Sequence, residues 1–509
     1  MGANVRQTDI PVLISGGGPV GLATAVELAH HGVRSMVVEP RESVSWLRPR
    51  AKTTSARSME LLRRWGLAET LRARSPLAVS WSDAAVFTTG LLGREITRIG
   101  GCFGLDLTGS DLAAEPGQQV PQPIVEEVLR EAAADALLTG WRVAGLREDA
   151  DGVTVDLTSA AGDTREVRAA YVVGCDGARS VTREAIGARY EGRQDARPNF
   201  NVVFRAPGLA DRVPHGPAVH YWVLNPAQPG MLGRLDLEDL WWCIAQGVPA
   251  TGTDPVRLVR NLVGADVEVE ILATDPWTAR MLLADRYAGG RVFLAGDAAH
   301  QNPPYGGHGF NTGIGDAVNI GWKLAAVLNG WAPASLLTSY EAERRPVAAA
   351  TIEAAAANMA TLAPELADPA LMGSEPEFER VRPAVAEAVR RTKDSEFHSL
   401  DLVLGYTYDG SPVVAGGCGE RLPHRWLAPG ESLYDRLGPA FSLVGDLSSP
   451  QAKVLVERAA ELGVPLREVD LPDAPGTLAL VRPDQHVAWR SSAPGDAAHA
   501  LDLAVGRPS

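Results

Sequence analysis

Lysine is scarce in this chain of 509 residues: it stands only at Lys52, Lys323, Lys393 and Lys453, and arginine supplies the other positive charges. With abundant alanine, that bias reads as the codon signature of a GC-rich bacterial genome. Cysteine is as rare. Cys102, Cys175, Cys243 and Cys418 lie far apart with no Cys-x-x-Cys pair, so they offer no zinc quartet and no disulfide framework, and they suit a reducing cytoplasm. The histidines show no three-ligand spacing, and no metal site is expected. No apolar run approaches the roughly 18–20 residues that cross a bilayer. The first residues also lack the basic and apolar regions of a secretory signal. A surplus of positive charge is missing as well: 48 basic against 62 acidic residues give a formal charge of −14. A nucleic-acid partner would need clustered Lys and Arg that this balance does not supply.

What is present is a large core. The chain is 45% hydrophobic, and its length admits two to four domains. Residues 11–17 are a short apolar strand, 18–32 carry helical periodicity, and 35–40 are a second buried strand, which together make a βαβ unit. Helical spacing recurs at 52–75 and 121–137, with strand-like pieces at 78–115 between them. Residues 140–175 alternate as a β-meander that returns to a core strand. From 198 to 275 strand-like runs lie between Pro and Gly turns, the pattern of an inserted β-rich domain. The first fold resumes at 291–300, and a long helical segment runs from Gly313 to about 391. After a turn-rich connector the order βαβββα closes the chain, which suits a thioredoxin-like module without thiols. The expected architecture is α/β: a doubly wound domain from 1–185 and 280–395, a β-rich domain over 186–279, and a tail over 396–509.

Gly16-Gly17-Gly18-Pro19-Val20-Gly21 satisfies Gly-x-Gly-x-x-Gly between strand and helix, with Glu39 ending the next strand. Each part has a mechanical reason. Gly16 permits the tight turn, Gly18 lets a pyrophosphate approach the backbone, and Gly21 allows close helix packing. The helix start offers N–H donors to phosphate, and Glu39 can accept the ribose hydroxyls. Pro40 follows the acid. This fingerprint does not separate NAD from FAD.

Two later motifs separate them. One is Gly174-Cys175-Asp176-Gly177-Ala178-Arg179-Ser180 with Arg183. The other is Gly296-Asp297-Ala298-Ala299-His300 followed by Pro303-Pro304-Tyr305-Gly306-Gly307-His308-Gly309-Phe310-Asn311-Thr312-Gly313. With the fingerprint they resemble the single-component FAD-dependent aromatic hydroxylases typified by para-hydroxybenzoate hydroxylase and phenol hydroxylase. The likeness spans roughly 8–350, and segments 421–427 and 481–490 further resemble the branch with a thioredoxin-like tail. The resemblance implies FAD contacts at Glu39, Arg48, Arg57 and Gln122, at Asp176 and Gly177, and at Gly296, Asp297, Pro304, Gly307, Gly309, Phe310 and Asn311. It places Asp297 on a ribityl hydroxyl and a helix N-terminus at the flavin's pyrimidine edge. Lys52, Tyr221, Trp222, Tyr305 and His308 are the candidates for substrate work. At about the place of Lys52, phenol hydroxylase has an acid.

A single nucleotide fingerprint implies that FAD is resident and that NADH or NADPH visits. In the family, hydride reduces FAD, dioxygen adds to it, and the flavin hydroperoxide attacks an electron-rich arene. The expectation is an NAD(P)H- and O2-dependent monooxygenase of a phenolic or polycyclic aromatic substrate, in secondary metabolism or aromatic degradation, with a homodimer as one assembly. Baeyer–Villiger oxygenation uses the same cofactor and stays open. So does a protein that holds FAD and sequesters a ligand without oxidising it.

Overall fold

The computed structural model describes residues 10–47, 52–360, 366, 368–471, 473–493 and 496–507. Arg48 therefore lies outside the described residues. The first sheet holds five parallel strands in the order Val292–Leu294, Thr164–Gly174, Ile10–Ser15, Ser35–Glu39 and Leu137–Thr139. Antiparallel strands Trp141–Asp149 and Gly152–Ser159 extend it from Thr164–Gly174. The central strands are apolar along their length because both faces are covered. Val12, Ile14, Val37 and Val173 join one core cluster with Leu22, Leu28, Ile314, Ala317 and Leu324 of two helices, Pro19–His30 and His308–Leu328.

The second sheet has eight strands. Tyr190–Arg205, Glu270–Ala284, Leu240–Gln246, Gly230–Arg234 and His220–Val223 form most of it, and His220–Val223 then pairs in parallel with Ala85–Thr88, which pairs with Glu95–Ile99. The strand-like pieces near 78–115 thus complete the inserted sheet. Alternation divides its faces. Tyr221, Trp241 and Phe204 pack outward with the helix Pro255–Val263, whereas Trp222, Trp242 and Phe87 pack inward with Tyr305 and Phe397.

The tail has strands Phe441–Gly445, Leu466–Asp470, Leu478–Val481 and Val487–Arg490, with helices Pro450–Leu462 and Ala497–Ala504. The first two strands run parallel and the others antiparallel, as in a thioredoxin-like fold. Its core is continuous with the rest of the protein, since Phe441, Leu443 and Trp489 cluster with Trp322, Trp331 and Val347. A buried ionic seam runs through the junction. Glu343 accepts bonds from Lys323 at 2.6 Å and from Arg482 at 2.7 and 2.8 Å, and Arg482 also pairs with Asp484 at 2.7 Å. Burial opposes charge on Glu343, but Arg482 and Lys323 outweigh it and hold the carboxyl down at about 2.

The helix expected near Gly313 begins at His308. Its first two turns contain Gly309 and Gly313, which read as coil in sequence. Gly307 caps it with φ +70°, a backbone conformation that a side chain rarely adopts.

Candidate functional site

Between the two sheets lies a cavity of about 1160 Å3. Gly16, Gly18, Pro19, Val20, Glu39, Pro40, Gln122, Asp176, Gly177, Asp297, Pro304, Gly307, Gly309 and Phe310 all line it, so most of the expected cofactor residues share one space.

The glycine-rich turn opens the Pro19–His30 helix toward this cavity. Gly16 has φ +104°, and its N–H is held by the carbonyl of Val38 at 2.9 Å. The Gly17 N–H donates to Glu39 Oε2 at 2.8 Å, and Pro19 has no N–H. The first-turn donors left facing an anion are those of Gly18, Val20 and Gly21, which no intrahelical carbonyl can take. No acid stands in that turn to compete. A Cβ added to Gly18 would meet nothing within 4 Å, whereas one on Gly21 would stand 1.9 Å from the Gly16 carbonyl. Gly18 therefore faces open space, and Gly21 serves packing.

Glu39 holds the strand end in order. Its Oε1 accepts from the Arg41 backbone at 3.0 Å and from Arg41 Nε at 2.6 Å. Oε1 is filled by these two donors, and Oε2, which takes the Gly17 N–H, keeps a second lone pair. Asp176 caps the helix Val181–Ala185 by accepting the Thr182 N–H at 3.0 Å, and it lines the cavity as well. Arg183 organises backbone, donating to the carbonyls of Ala298 and Ala178 and lying 3.8 Å over the Tyr190 ring. Tyr190 in turn donates to the Asp297 carbonyl. The Asp297 side chain is exposed to the cavity.

A second helix N-terminus enters the same cavity at Gly307, Gly309 and Phe310. What fixes it was not expected from sequence. Asp316, a little over two turns inside this helix, is fully buried and accepts from Arg344 Nε at 2.8 Å and the Gly296 N–H at 3.1 Å, with His300 Nε2 at 2.8 Å. Arg344 also donates to the Thr312 carbonyl at 2.9 Å and to Tyr408 at 3.2 Å. Burial works against charge on Asp316, yet Arg344 and His300 hold its carboxyl below the ordinary range. The Gly296-Asp297 turn and the helix start are thereby locked together. The signal was the one acid of this helix, without its distant partner.

Several expected residues lie elsewhere. Arg57 points away from the cavity and donates to Glu60 at 3.0 Å, to Gln485 at 2.6 Å and to the Asp484 carbonyl at 2.7 Å, so it fastens the tail. Asn311 ties the helix start to the chain at 53–58 through Thr53, Ser55 and Ser58. Gly296 packs against Val20 beneath the cavity wall. Tyr221 is on the outward face of the second sheet, where its hydroxyl donates to Gly216 and burial pushes it up to about 12. Tyr305 is buried against the inward face of the second sheet and His308 is buried at the helix start; burial raises the phenol and lowers the imidazole to about 4. Lys52 does reach a cavity. It walls a narrow recess with Asn201, Trp242, Cys243, Thr274 and Asp275 that shares Leu47, Ala273 and Thr274 with the main cavity.

A ligand with a pyrophosphate near its middle and a polar ring at one end meets both helix N-termini at once, and the fold is that of an FAD-binding protein. A model of an FAD binding domain matches residues 9–355, and a model of the C-terminal domain of aromatic-ring hydroxylases matches 415–508. The chain is 36% identical over 538 residues to 4-methyl-5-nitrocatechol 5-monooxygenase of a Burkholderia species, covering 95% of this chain and 94% of that one. It superposes on the rebeccamycin biosynthetic enzyme RebC with reduced flavin at TM-score 0.89 and 36% identity, over 98% and 99% of the two chains. Aklavinone-11 hydroxylase with FAD and aklavinone matches at TM-score 0.83 and 29% identity, over 99% of each chain. The protein belongs to the FAD-dependent aromatic hydroxylases and is a flavin monooxygenase. Among the described residues no helix is long and apolar enough to cross a membrane, and no cluster of potential ligands could hold a metal ion.

Proposed function

We propose that this monooxygenase hydroxylates a phenolic or polycyclic aromatic compound with NADH or NADPH and dioxygen, in bacterial secondary metabolism or aromatic degradation. The observation that carries the reading is the cavity of about 1160 Å3, which runs from the glycine-rich turn to Leu272, Ala273 and Thr274 of the second sheet and so has room beside a dinucleotide for an aromatic compound. The relatives named for a nitrocatechol, itself a hydroxylated arene, and for aklavinone support this class.

Bound FAD supplies hydride acceptance and dioxygen activation. The N–H groups at Gly18 and Val20 would hold its pyrophosphate, Glu39 the adenosine ribose, and Asp297 a ribityl hydroxyl. The start of the His308–Leu328 helix presents backbone donors without an acidic neighbour in its first turn, and these would favour negative charge on a ring held there. Trp242 and Val203 offer apolar wall that excludes water from the reacting carbon. The test is to incubate the FAD-loaded enzyme with NADH or NADPH and a panel of phenols, naphthols and quinols. Aromatic-stimulated oxidation of the nicotinamide with a product 16 mass units heavier is the expected result. Oxidation that no aromatic stimulates, with no oxygenated product, would overturn it.

A further inference from the structure

The turn that joins the tail strands Leu478–Val481 and Val487–Arg490 is polar and yet buried, whereas a hairpin tip ordinarily lies at the surface. Arg482, Asp484, Gln485 and His486 are each 2% exposed or less. Gln485 holds φ +64°, a left-handed conformation that a residue with a side chain rarely takes and that persists only where its surroundings over-determine it. The turn is docked on the helix His308–Leu328, whose start enters the cofactor cavity. Asp484 accepts from Trp322 Nε1 at 3.2 Å and from Asn319 Nδ2 at 3.3 Å on that helix. Arg482 pairs with Asp484 and with Glu343, and Glu343 also accepts from Asn319 at 2.7 Å and Lys323 at 2.6 Å. Burial opposes charge on Asp484, but Arg482 and His486 hold its carboxyl well below the ordinary range. About one turn nearer the cavity, the Tyr408 hydroxyl of the connector accepts from Arg344 at 3.2 Å, and Arg344 holds Asp316 at 2.8 Å. The Arg482 guanidinium lies 4.8 Å over the Tyr408 ring and joins the two attachments.

We infer that the Arg482–His486 turn is a positioning element for the flavin: through Asp484, and through Tyr408 beside it, the tail fixes the axial and rotational placement of the His308–Leu328 helix, and so where the backbone donors at its start stand. The inference rests on the proposed placement of the flavin ring at that helix start. Asp316, Asn319 and Lys323 are spaced i, i+3 and i+7, so their attachments share one face of the helix. Apolar packing alone specifies sliding and rotation weakly, whereas each bond broken here leaves a buried polar group unpaired. A helix carries such a displacement along its length, because its own hydrogen bonds keep the rise at 1.5 Å per residue. A slide at Asn319 is therefore a slide at Gly309. The donors and the dipole act over the first turn only, and they favour the negative charge that the ring gains on reduction. The turn thus acts on reduced flavin more than on oxidised flavin. A clamp that served stability alone would not tell the two states apart.

The reduction potential of the bound flavin, measured against reference dyes in the FAD-loaded enzyme with thermal melts in parallel, tests the inference. Asp484→Ala should weaken reduced relative to oxidised flavin about three- to tenfold, a shift of about 15–30 mV to more negative potential for a two-electron couple. Asp484→Asn keeps an oxygen for the Trp322 N–H and should fall between Asp484→Ala and the wild type. A lower melting temperature with the wild-type potential in Asp484→Ala would overturn the positioning role. Tyr408→Phe removes only the hydroxyl at Arg344 and should shift the potential in the same direction; it decides the matter if Asp484→Ala does not load FAD. Asn311→Asp separates this inference from the placement of the ring. It sets an acid in the helix's first turn while the Ser55 N–H and the Ser58 hydroxyl keep their acceptor, and it should lower the potential if the ring lies there. A shift with Asn311→Asp and none with Asp484→Ala would remove the positioning role alone. No shift with either would remove the ring placement and the inference together.

Discussion

Gly18→Val separates cofactor binding from folding. Gly18 has φ −76° and ψ 179°, an extended conformation that valine adopts readily, and an added Cβ meets nothing within 4 Å. The substitution should therefore leave the FAD-free protein as stable as the wild type, or raise it by roughly 0.4–1 kcal/mol because the unfolded chain loses freedom. In the cavity the outcome reverses. The valine methyls would fill the space through which a pyrophosphate reaches the first-turn donors. Loss of two charge-assisted hydrogen bonds, at about 1.5–3 kcal/mol each, weakens FAD by roughly 3–6 kcal/mol, or about 10²–10⁴-fold in Kd. Gly21→Val is the control of opposite sense. Its Cβ would stand 1.9 Å from the Gly16 carbonyl, so the helix must leave the strand and the fold itself should suffer. Flavin fluorescence quenching on addition to the FAD-free proteins gives the affinities, and thermal melts give the stabilities. Gly18→Val protein that melts normally and binds FAD within threefold of the wild type would refute the phosphate assignment.

Three other outcomes are expected. Asp297→Ala should lower FAD affinity about tenfold, the value of one hydrogen bond to a charged group, without changing the melting of the FAD-free protein, since that side chain is exposed. Arg344→Met should cost about 3–5 kcal/mol in urea unfolding, because it leaves Asp316 buried without its cation; a loss under 1 kcal/mol would contradict the network described. Removal of residues 410–509 should yield aggregated protein, because it bares Trp322 and Trp331 and takes Arg482 from Glu343. A monodisperse, FAD-loaded fragment on size exclusion would show the tail to be dispensable.

That the glycine-rich turn and Glu39 share one cavity was legible because this part is local. Gly16, Gly18, Gly21 and Glu39 lie within one βαβ unit, where strand, turn and helix follow from short-range pattern. The opposite wall was legible in outline, since the turn at Asp297 and the loop around Gly307 keep their spacing and both line the cavity. Facing was harder to read. In a strand one residue decides inward or outward, and Tyr221 points away from the interior that Trp222 faces. The Trp241-Trp242 pair splits in the same way, with Trp241 packed outward and Trp242 inward. Arg57 and Arg344 depended on partners hundreds of residues distant or in other helices, such as Gln485 and Asp316. No local periodicity carries such pairings.

The seam of Lys323, Glu343 and Arg482 also bears on how the protein is made. Glu343 lies on the Ser339–Ala360 helix beside Arg344, which locks the cofactor turn, while Arg482 emerges from the ribosome about 140 residues later. At roughly 5–20 residues per second that interval lasts on the order of ten seconds. Throughout it the nascent FAD domain carries an acidic, apolar flank with its cationic cover still unsynthesised. Stable flavin loading should accordingly be a late event, completed after synthesis of the tail, and premature chain termination should leave fragments that expose this flank to chaperones and proteases.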